Sequence, residues 1–382
     1  MASIVVSGTM LRHPLAENIT ACMQYLVGLH LLGHDVAYVE DRGWQGSCFD
    51  HRSATVGEYP TGGLALVREL LRRYRVDVPV AWVDADVGLV EGMLWPQLRE
   101  RLAGASVLLD IGGEFGLEER ALPRCRALVD AEPLFTDSER FIGSFDYDVH
   151  FGYDVNTGGS CCNVPTAGIN WLATVPPIVP QLWKAPPPRA ASPLSTVVDW
   201  MAYRGAGHGG SWYGQDGAVE HLLELPARVG STLELAISGE SERVHRRLRA
   251  AGWVLRDADE VNASPAAYSS YIRRSQGEFS VARRAYVSTR SGWLGARSAC
   301  YLAAGRPVIV QDTGQEEWLA TGLGVLTFQD AEDAALAVER VGGDLLMHSR
   351  AARVKAREVF HYGVVLERLL ERAMPRRLGV IA

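Results

Sequence analysis

The strongest constraint on this chain is an alternation that runs twice. Ile4-Val5-Val6 reads as a strand and residues 18–32 as a helix, with Met23, Leu26, Val27 and Leu31 at helical spacing. Gly33-His34 closes that helix, and residues 35–40 read as a second strand. Strand–helix–strand of this length is a βαβ unit, which calls for a parallel sheet covered by helices. The rhythm restarts near residue 194. Strands are expected at 195–200, 233–237, 285–288 and 307–310, with helices at 215–225, 242–251 and 297–304, the last ended by Gly305. Between the two runs stand Pro176, Pro177, Pro180, Pro186, Pro187, Pro188 and Pro193, which stop helix and sheet alike. The reading is α/β with two domains: 1–175, a proline-rich linker at 176–193, a second domain at 194–350, and a helical C-terminal segment at 351–382. Further expectations are a helix at 61–75, strands at 79–83 and 106–110, loop over 132–160, and one long helix from Ser349 to Ala373.

Composition narrows the function classes. A length of 382 residues accommodates two domains, and 47% apolar with 22% charged residues is a globular balance. The net charge is −7, from 38 basic and 45 acidic residues, which argues against a nucleic-acid surface. Lys184 and Lys355 are the only lysines, and neither stands in a Gly-Lys-Ser/Thr run, so a Walker P-loop is excluded. Six cysteines without a C-x-x-C pair read as reduced thiols, and a cytoplasmic location is expected. The first residues lack a basic, then apolar, leader pattern, and no stretch of about 18 apolar residues occurs. No signal peptide and no membrane partner are expected.

The chemistry concentrates in 277–316. Glu278, Phe279 and Ser280 precede Ser291, Gly292 and Trp293, and a small-residue helix then starts between Gly295 and Ser298. Free amides at such a start favour an anion such as a diphosphate, and Arg297 adds a donor fork suited to phosphate oxygens. The following strand ends in Asp312, Thr313 and Gly314, at the sheet edge where open α/β folds bind ligands. A second Gly-rich run, Gly205-Ala206-Gly207-His208-Gly209-Gly210, follows a strand, and Arg204 adjoins it. It matches G-x-G-x-x-G loosely, because helical pattern resumes only near Gln215.

The run Gly305-Arg306-Pro307-Val308-Ile309-Val310-Gln311-Asp312-Thr313-Gly314 resembles the donor-binding domain of GT-B glycosyltransferases. The opening Gly28-Leu-His-Leu-Leu-Gly-His-Asp-Val-Ala-Tyr-Val-Glu40-Asp41 is similar to the start of the same enzymes, and Trp200, Tyr213-Gly214, Leu225-Pro226 and Gly277-Glu278-Phe279-Ser280 between these ends resemble a bacterial branch of the group. The resemblance spans about residues 3–370. It implies two Rossmann-like αβα domains facing a cleft, the last helix packing back on the first domain, and sugar transfer from a nucleotide-sugar to a small-molecule acceptor. Composition and resemblance together suggest bacterial natural-product biosynthesis. No metal and no separate cofactor are implied, the nucleotide-sugar being a co-substrate. The donor side would comprise Gly8, Arg204, Gly205, Gly207, Glu278, Phe279, Ser291, Gly292, Trp293, Arg297, Ser298, Asp312, Thr313 and Gly314. One departure is Cys300, which occupies the place where many such enzymes carry a ribose-holding glutamate.

For the base, His13 lies on the loop after the first strand and titrates near neutrality. Asp110, which with Glu114 flanks Gly112-Gly113, and Asp137 are the carboxylate alternatives. Asp84-x-Asp86, Asp146-x-Asp148 and Asp257-x-Asp259 match a metal-binding Asp-x-Asp pattern, and three unrelated matches read as chance. Trp44 and Trp171 are candidates for shaping an acceptor pocket. An NAD(P)-dependent oxidoreductase or a sugar-nucleotide epimerase using the 205–210 loop stays open, as does a non-catalytic nucleotide-binding accessory protein.

Overall fold

The computed structural model describes residues 1–50, 55–116, 123–132, 147–200 and 221–374. By their contacts they group into two units. The first comprises Met1–Tyr153, Thr166–Val179 and His361–Ala382, and the second Asp154–Pro165 and Pro180–Phe360. Residues 154–165 thus group with the C-terminal unit although they precede the proline-dense run.

Among the described residues the N-terminal unit holds ten strands: β1 (Ser3–Ser7), β2 (Asp35–Asp41), β3 (Cys48–Asp50), β4 (Thr55–Gly57), β5 (Val80–Asp84), β6 (Leu89–Glu91), β7 (Val107–Ile111), β8 (Arg126–Asp130), β9 (Val149–Gly152) and β10 (Trp171–Ala173). β3 and β4 form a separate antiparallel pair. The others make one sheet in the order β10-β9-β8-β7-β1-β2-β5-β6, parallel throughout except for β6. β1 and β2 are buried along nearly their whole length, as strands covered on both faces must be. Helix Ala16–Leu31 is buried without a break from Cys22 to Leu29, and Gly28 leaves no room for a side chain: a Cβ there would sit 2.7 Å from Leu366 of helix Tyr362–Ala373.

Among the described residues the C-terminal unit has six parallel strands, β11 (Leu194–Asp199), β12 (Leu233–Ser238), β13 (Val254–Asp257), β14 (Gly277–Ser280), β15 (Val308–Gln311) and β16 (Val325–Phe328). Their order is β13-β12-β11-β14-β15-β16. Its core joins Leu235, Ile237, Phe279, Ile309, Leu326 and Phe328 with Val338 and Val341 of helix Ala331–Gly343.

Both sheets reverse direction in the middle. In the first, the chain winds outward from β1 through β2 and β5, then returns to β7 on the other side of β1. In the second, it winds from β11 to β13 and returns to β14. The carboxyl ends of β1 with β7, and of β11 with β14, are therefore the two switch points at which such sheets bind ligands.

Three expectations are corrected. Residues 285–288 are not a strand but the middle of helix Arg284–Thr289, which Arg290 stops in the left-handed conformation (φ 51°). The long C-terminal helix is two, Leu345–Glu358 and Tyr362–Ala373, because buried Phe360 and the His361 cap break it. The segment 132–160, read as loop, contains β9. The helix expected at 215–225 falls partly outside the described residues, and Leu225–Ala227 is a short 3-10 turn.

Candidate active site

The first switch point is formed by the loop after β1, the end of β2 and the loop after β7. Its centre is a buried ion pair. Arg12 and Glu40 are both fully buried, with Arg12 Nε 3.1 Å from Glu40 Oε1. Glu40 also accepts hydrogen bonds from the backbone N–H of Leu11 (2.8 Å) and Arg12 (2.7 Å) and from the Tyr38 hydroxyl (2.7 Å). Burial nevertheless pushes its carboxyl up to about 7, against the opposing pull of Arg12. Arg12 reaches on to Glu114 at 3.1 Å and lies over the Trp44 ring, 5.2 Å from its centroid.

His13 follows Arg12 and is half-buried, its ring 6.2 Å from that of Trp44. Burial first, and the Arg12 charge second, lower its pKa, while Glu114 acts the other way. The imidazole is thus held neutral at pH 7, the form a base requires. Asp110, at the end of β7, is fully buried; its Oδ2 accepts from Tyr147 (2.5 Å) and from the Phe115 N–H (3.1 Å). Burial pushes its carboxyl up to about 6, with Asp41 and Glu114 adding like charge. Gly8 belongs to this unit too. A Cβ there would stand 3.0 Å from Cys22 Sγ and 3.4 Å from the Tyr38 hydroxyl, so it lets the loop lie close over β2. Asp137 lies outside the described residues.

The second switch point gathers most of the expected donor residues. Helix Ala296–Ala303 starts from Gly295, which has no side chain to cap the first amides. A Cβ on Gly295 would meet the Trp293 ring at 2.8 Å, and that ring stacks on Tyr286 at 4.6 Å. Arg297, in the first turn, is held from below: its Nε donates to Glu278 Oε1 at 2.9 Å and its Nη2 to Ser280 Oγ at 3.4 Å. Ser298 is buried beside it.

Two turns are tied together behind that helix start. The Gly292 N–H donates to Thr313 O (2.7 Å), and the Thr313 hydroxyl to Trp293 O (2.9 Å). Ser291 Oγ accepts from the Trp293 N–H at 3.2 Å. Asp312 accepts from the Gly314 N–H (2.8 Å) and from Gln329 (3.0 Å), so its carboxylate shapes the turn. Asn156 crosses both turns, donating from Nδ2 to Arg290 O (3.0 Å) and Gly314 O (2.9 Å).

Phe279 is corrected from donor-side to core: it is buried, stacked on Phe328 at 5.2 Å, on the face of β14 opposite Glu278. Arg204, Gly205 and Gly207 lie outside the described residues. The Asp-x-Asp matches are structural. Asp84 and Asp86 pair with Arg42, Asp148 accepts from the Arg126 N–H, and Asp257 caps helix Ala258–Asn262, while Asp146 lies outside the described residues. Among the described residues no group of three His, Cys, Asp or Glu side chains is placed to hold a metal ion. No helix among them is long and apolar enough to cross a membrane.

The sequence missed Arg12, Glu40 and Asn156. Glu40 left one signal, a carboxylate ending a strand otherwise apolar from Val36 to Val39. Asn156 left none, because its partners lie 134 and 158 residues away.

No family model matches the chain, and no curated protein matches it by sequence. Solved structures do match. HepE from Anabaena, in complex with UDP-glucose, is 11% identical with a TM-score of 0.56, over 97% of this chain and 98% of that one. AviGT4, a glycosyltransferase involved in avilamycin A biosynthesis, is 12% identical with a TM-score of 0.56, over 98% and 97%. An α-glucosyltransferase in complex with UDP and a 13-mer DNA is 9% identical with a TM-score of 0.55, over 98% and 100%. The fold is therefore GT-B along nearly the whole chain.

Proposed function

We infer that this protein is a glycosyltransferase that moves a sugar from a nucleotide-sugar to a small-molecule acceptor. One observation carries the reading: Arg297, in the first turn of helix Ala296–Ala303, is anchored on Glu278 and Ser280 at a switch-point edge. That pairing of uncapped amides and a fixed guanidinium suits a diphosphate, whose growing charge it would meet as the leaving group departs. The nucleotide-sugars and UDP named with the neighbouring structures are of this class.

In the proposed reaction the acceptor hydroxyl gives its proton to neutral His13. Its oxygen bonds to the anomeric carbon, and the carbon–oxygen bond to the diphosphate breaks with its electron pair on the nucleotide. Asp110, protonated more readily than an ordinary aspartate, is the second candidate to exchange a proton with the acceptor. Direct displacement of this kind inverts the anomeric centre, and a retained centre in the product would remove His13 from the role. A small-molecule acceptor is favoured over DNA by the net charge of −7. Biosynthesis of a glycosylated natural product is the setting proposed, in the cytoplasm.

The test is a thermal-shift panel with UDP, dTDP, GDP, ADP, CDP and NAD⁺. Ligand at about 100 times Kd stabilises a fold by roughly 2.7 kcal/mol, a visible rise in melting temperature. A rise with a nucleoside diphosphate supports the transferase and names its donor class. A rise with NAD⁺ alone would replace it with the oxidoreductase.

A further inference from the structure

We propose that Glu40 is the positioning residue for His13, fixing through its carboxylate the loop that presents the imidazole. The inference deepens the transferase reading and rests on it for its kinetic arm only.

The geometry is unusually complete for one side chain. The last six residues of β2 are buried, and Glu40, one residue before the strand's end, lies beneath the loop that follows β1. Each carboxylate oxygen takes one of two successive loop amides, Leu11 N–H on Oε2 and Arg12 N–H on Oε1. Tyr38 adds a third donor and Arg12 Nε a fourth. A carboxylate bound to consecutive amides fixes the plane of the peptides between them. The other side of Arg12 is fixed as well, because its carbonyl accepts the Phe49 N–H at 2.6 Å. The His13 N–H returns to Thr9 O at 2.8 Å and closes the loop. His13 therefore starts from a backbone held on every side, and Glu40 is the group on which the ties converge.

The same side chain pairs with the cation beside the imidazole. The charged groups facing His13 are the Arg12 guanidinium and the Glu114 carboxylate. The titratable groups facing Glu40 are Arg12, which is charged, and the neutral Tyr38 hydroxyl and thiols of Cys22 and Cys48. Glu40 is thus the buried hydrogen-bond partner of the cation next to His13.

The experiment compares wild type with Glu40→Gln, Glu40→Asp, His13→Ala and the double variant Glu40→Gln/His13→Ala, all in the full chain. The first readout is NMR titration of the histidine rings, with the His13 resonance identified by its absence in His13→Ala. The expected result is that Glu40→Gln changes the His13 chemical shift and moves its midpoint, with the other histidines in place. Glu40→Asp, which keeps the charge on a shorter stem, should move the same resonance less, and it carries the comparison if Glu40→Gln does not fold. A His13 resonance with the wild-type shift and midpoint in both variants overturns the proposal. The second readout is turnover of the nucleotide-sugar whose diphosphate binds in the thermal-shift panel. Glu40→Gln should lower kcat roughly 10- to 100-fold, the scale of ångström-level misplacement, with the donor KM unchanged. In the His13→Ala background it should cost nothing further. Losses that multiply instead overturn the proposal and leave the transferase standing. A wild type that turns over no nucleotide-sugar removes the transferase, and the NMR arm still decides the role of Glu40.

Discussion

Asn156 Nδ2 donates to the carbonyl oxygen of Gly314 at 2.9 Å, joining residues 158 positions apart. The same nitrogen reaches Arg290 O, and the Asn156 N–H reaches Ser291 O at 3.0 Å. One side chain from before the proline-dense run thus pins both turns behind the proposed donor site. Asn156→Ala removes both side-chain bonds, at about 1 kcal/mol each. Unfolding in urea should show a loss of about 1–3 kcal/mol, and calorimetry should show weaker binding of the nucleoside diphosphate. Unchanged affinity with lowered stability would confine Asn156 to a structural part.

Arg297 separates binding from stability. Arg297→Ala takes the cation from Glu278, which is fully buried, so a loss of about 3–5 kcal/mol is expected. Arg297→Ala with Glu278→Gln should recover much of that stability, since neither charge then remains. Diphosphate affinity should stay low in both variants. Affinity that returns with stability would mean that Arg297 does not touch the ligand.

His13 gives a signed pH dependence. Burial and Arg12 hold its folded pKa below the ordinary value of about 6.5, so the neutral ring is in place at pH 7. Turnover should stay level from pH 8 down past 6.5 and fall only as pH drops through the depressed pKa. His13→Ala should lose roughly 10²–10⁴-fold in kcat and lose that acid limb. A limb that survives the substitution belongs to another group, with Asp110 the first to examine.

Asp110 makes the opposite statement about stability. Its folded pKa, about 6, lies above the ordinary 3.8 because the carboxyl is buried. The protonated form is therefore favoured by folding. Its stabilising contribution is complete below 3.8 and lost as pH rises to 6. A gap of that size corresponds to about 3 kcal/mol at most. Asp110→Asn should accordingly be more stable relative to wild type at pH 7.5 than at pH 4.5, measured by urea unfolding. If Asp110 also serves the reaction, the variant will be firmer and slower at once.

The sequence revealed the fold through its punctuation. Gly33 and Gly305 end helices, the prolines separate two βα series, and Val308–Val310 reads correctly as a buried strand. Residues 285–288 mislead because Tyr286, Val287 and Ser288 suit a pleated surface, whereas packing of Tyr286 on Trp293 decides for a helix. The donor side was readable where ligand chemistry and chain order coincide, as at Arg297 and Ser298. Phe279 shows the limit: alternation along β14 sends neighbouring side chains to opposite faces, and no local pattern says which face is the core. The carboxylate beneath His13 stayed hidden for a related reason. Glu40 resembles any strand-end acid until the loop 28 residues earlier is seen resting on it.

Helix Tyr362–Ala373 groups with the N-terminal unit, and its Leu366 and Tyr362 press against Gly28. More than 300 residues separate these partners in the order of synthesis. The half of the protein made first must therefore wait, with one flank of helix Ala16–Leu31 uncovered, until more than 300 further residues have emerged. A nascent chain interrupted before Tyr362 leaves that flank of the helix uncovered.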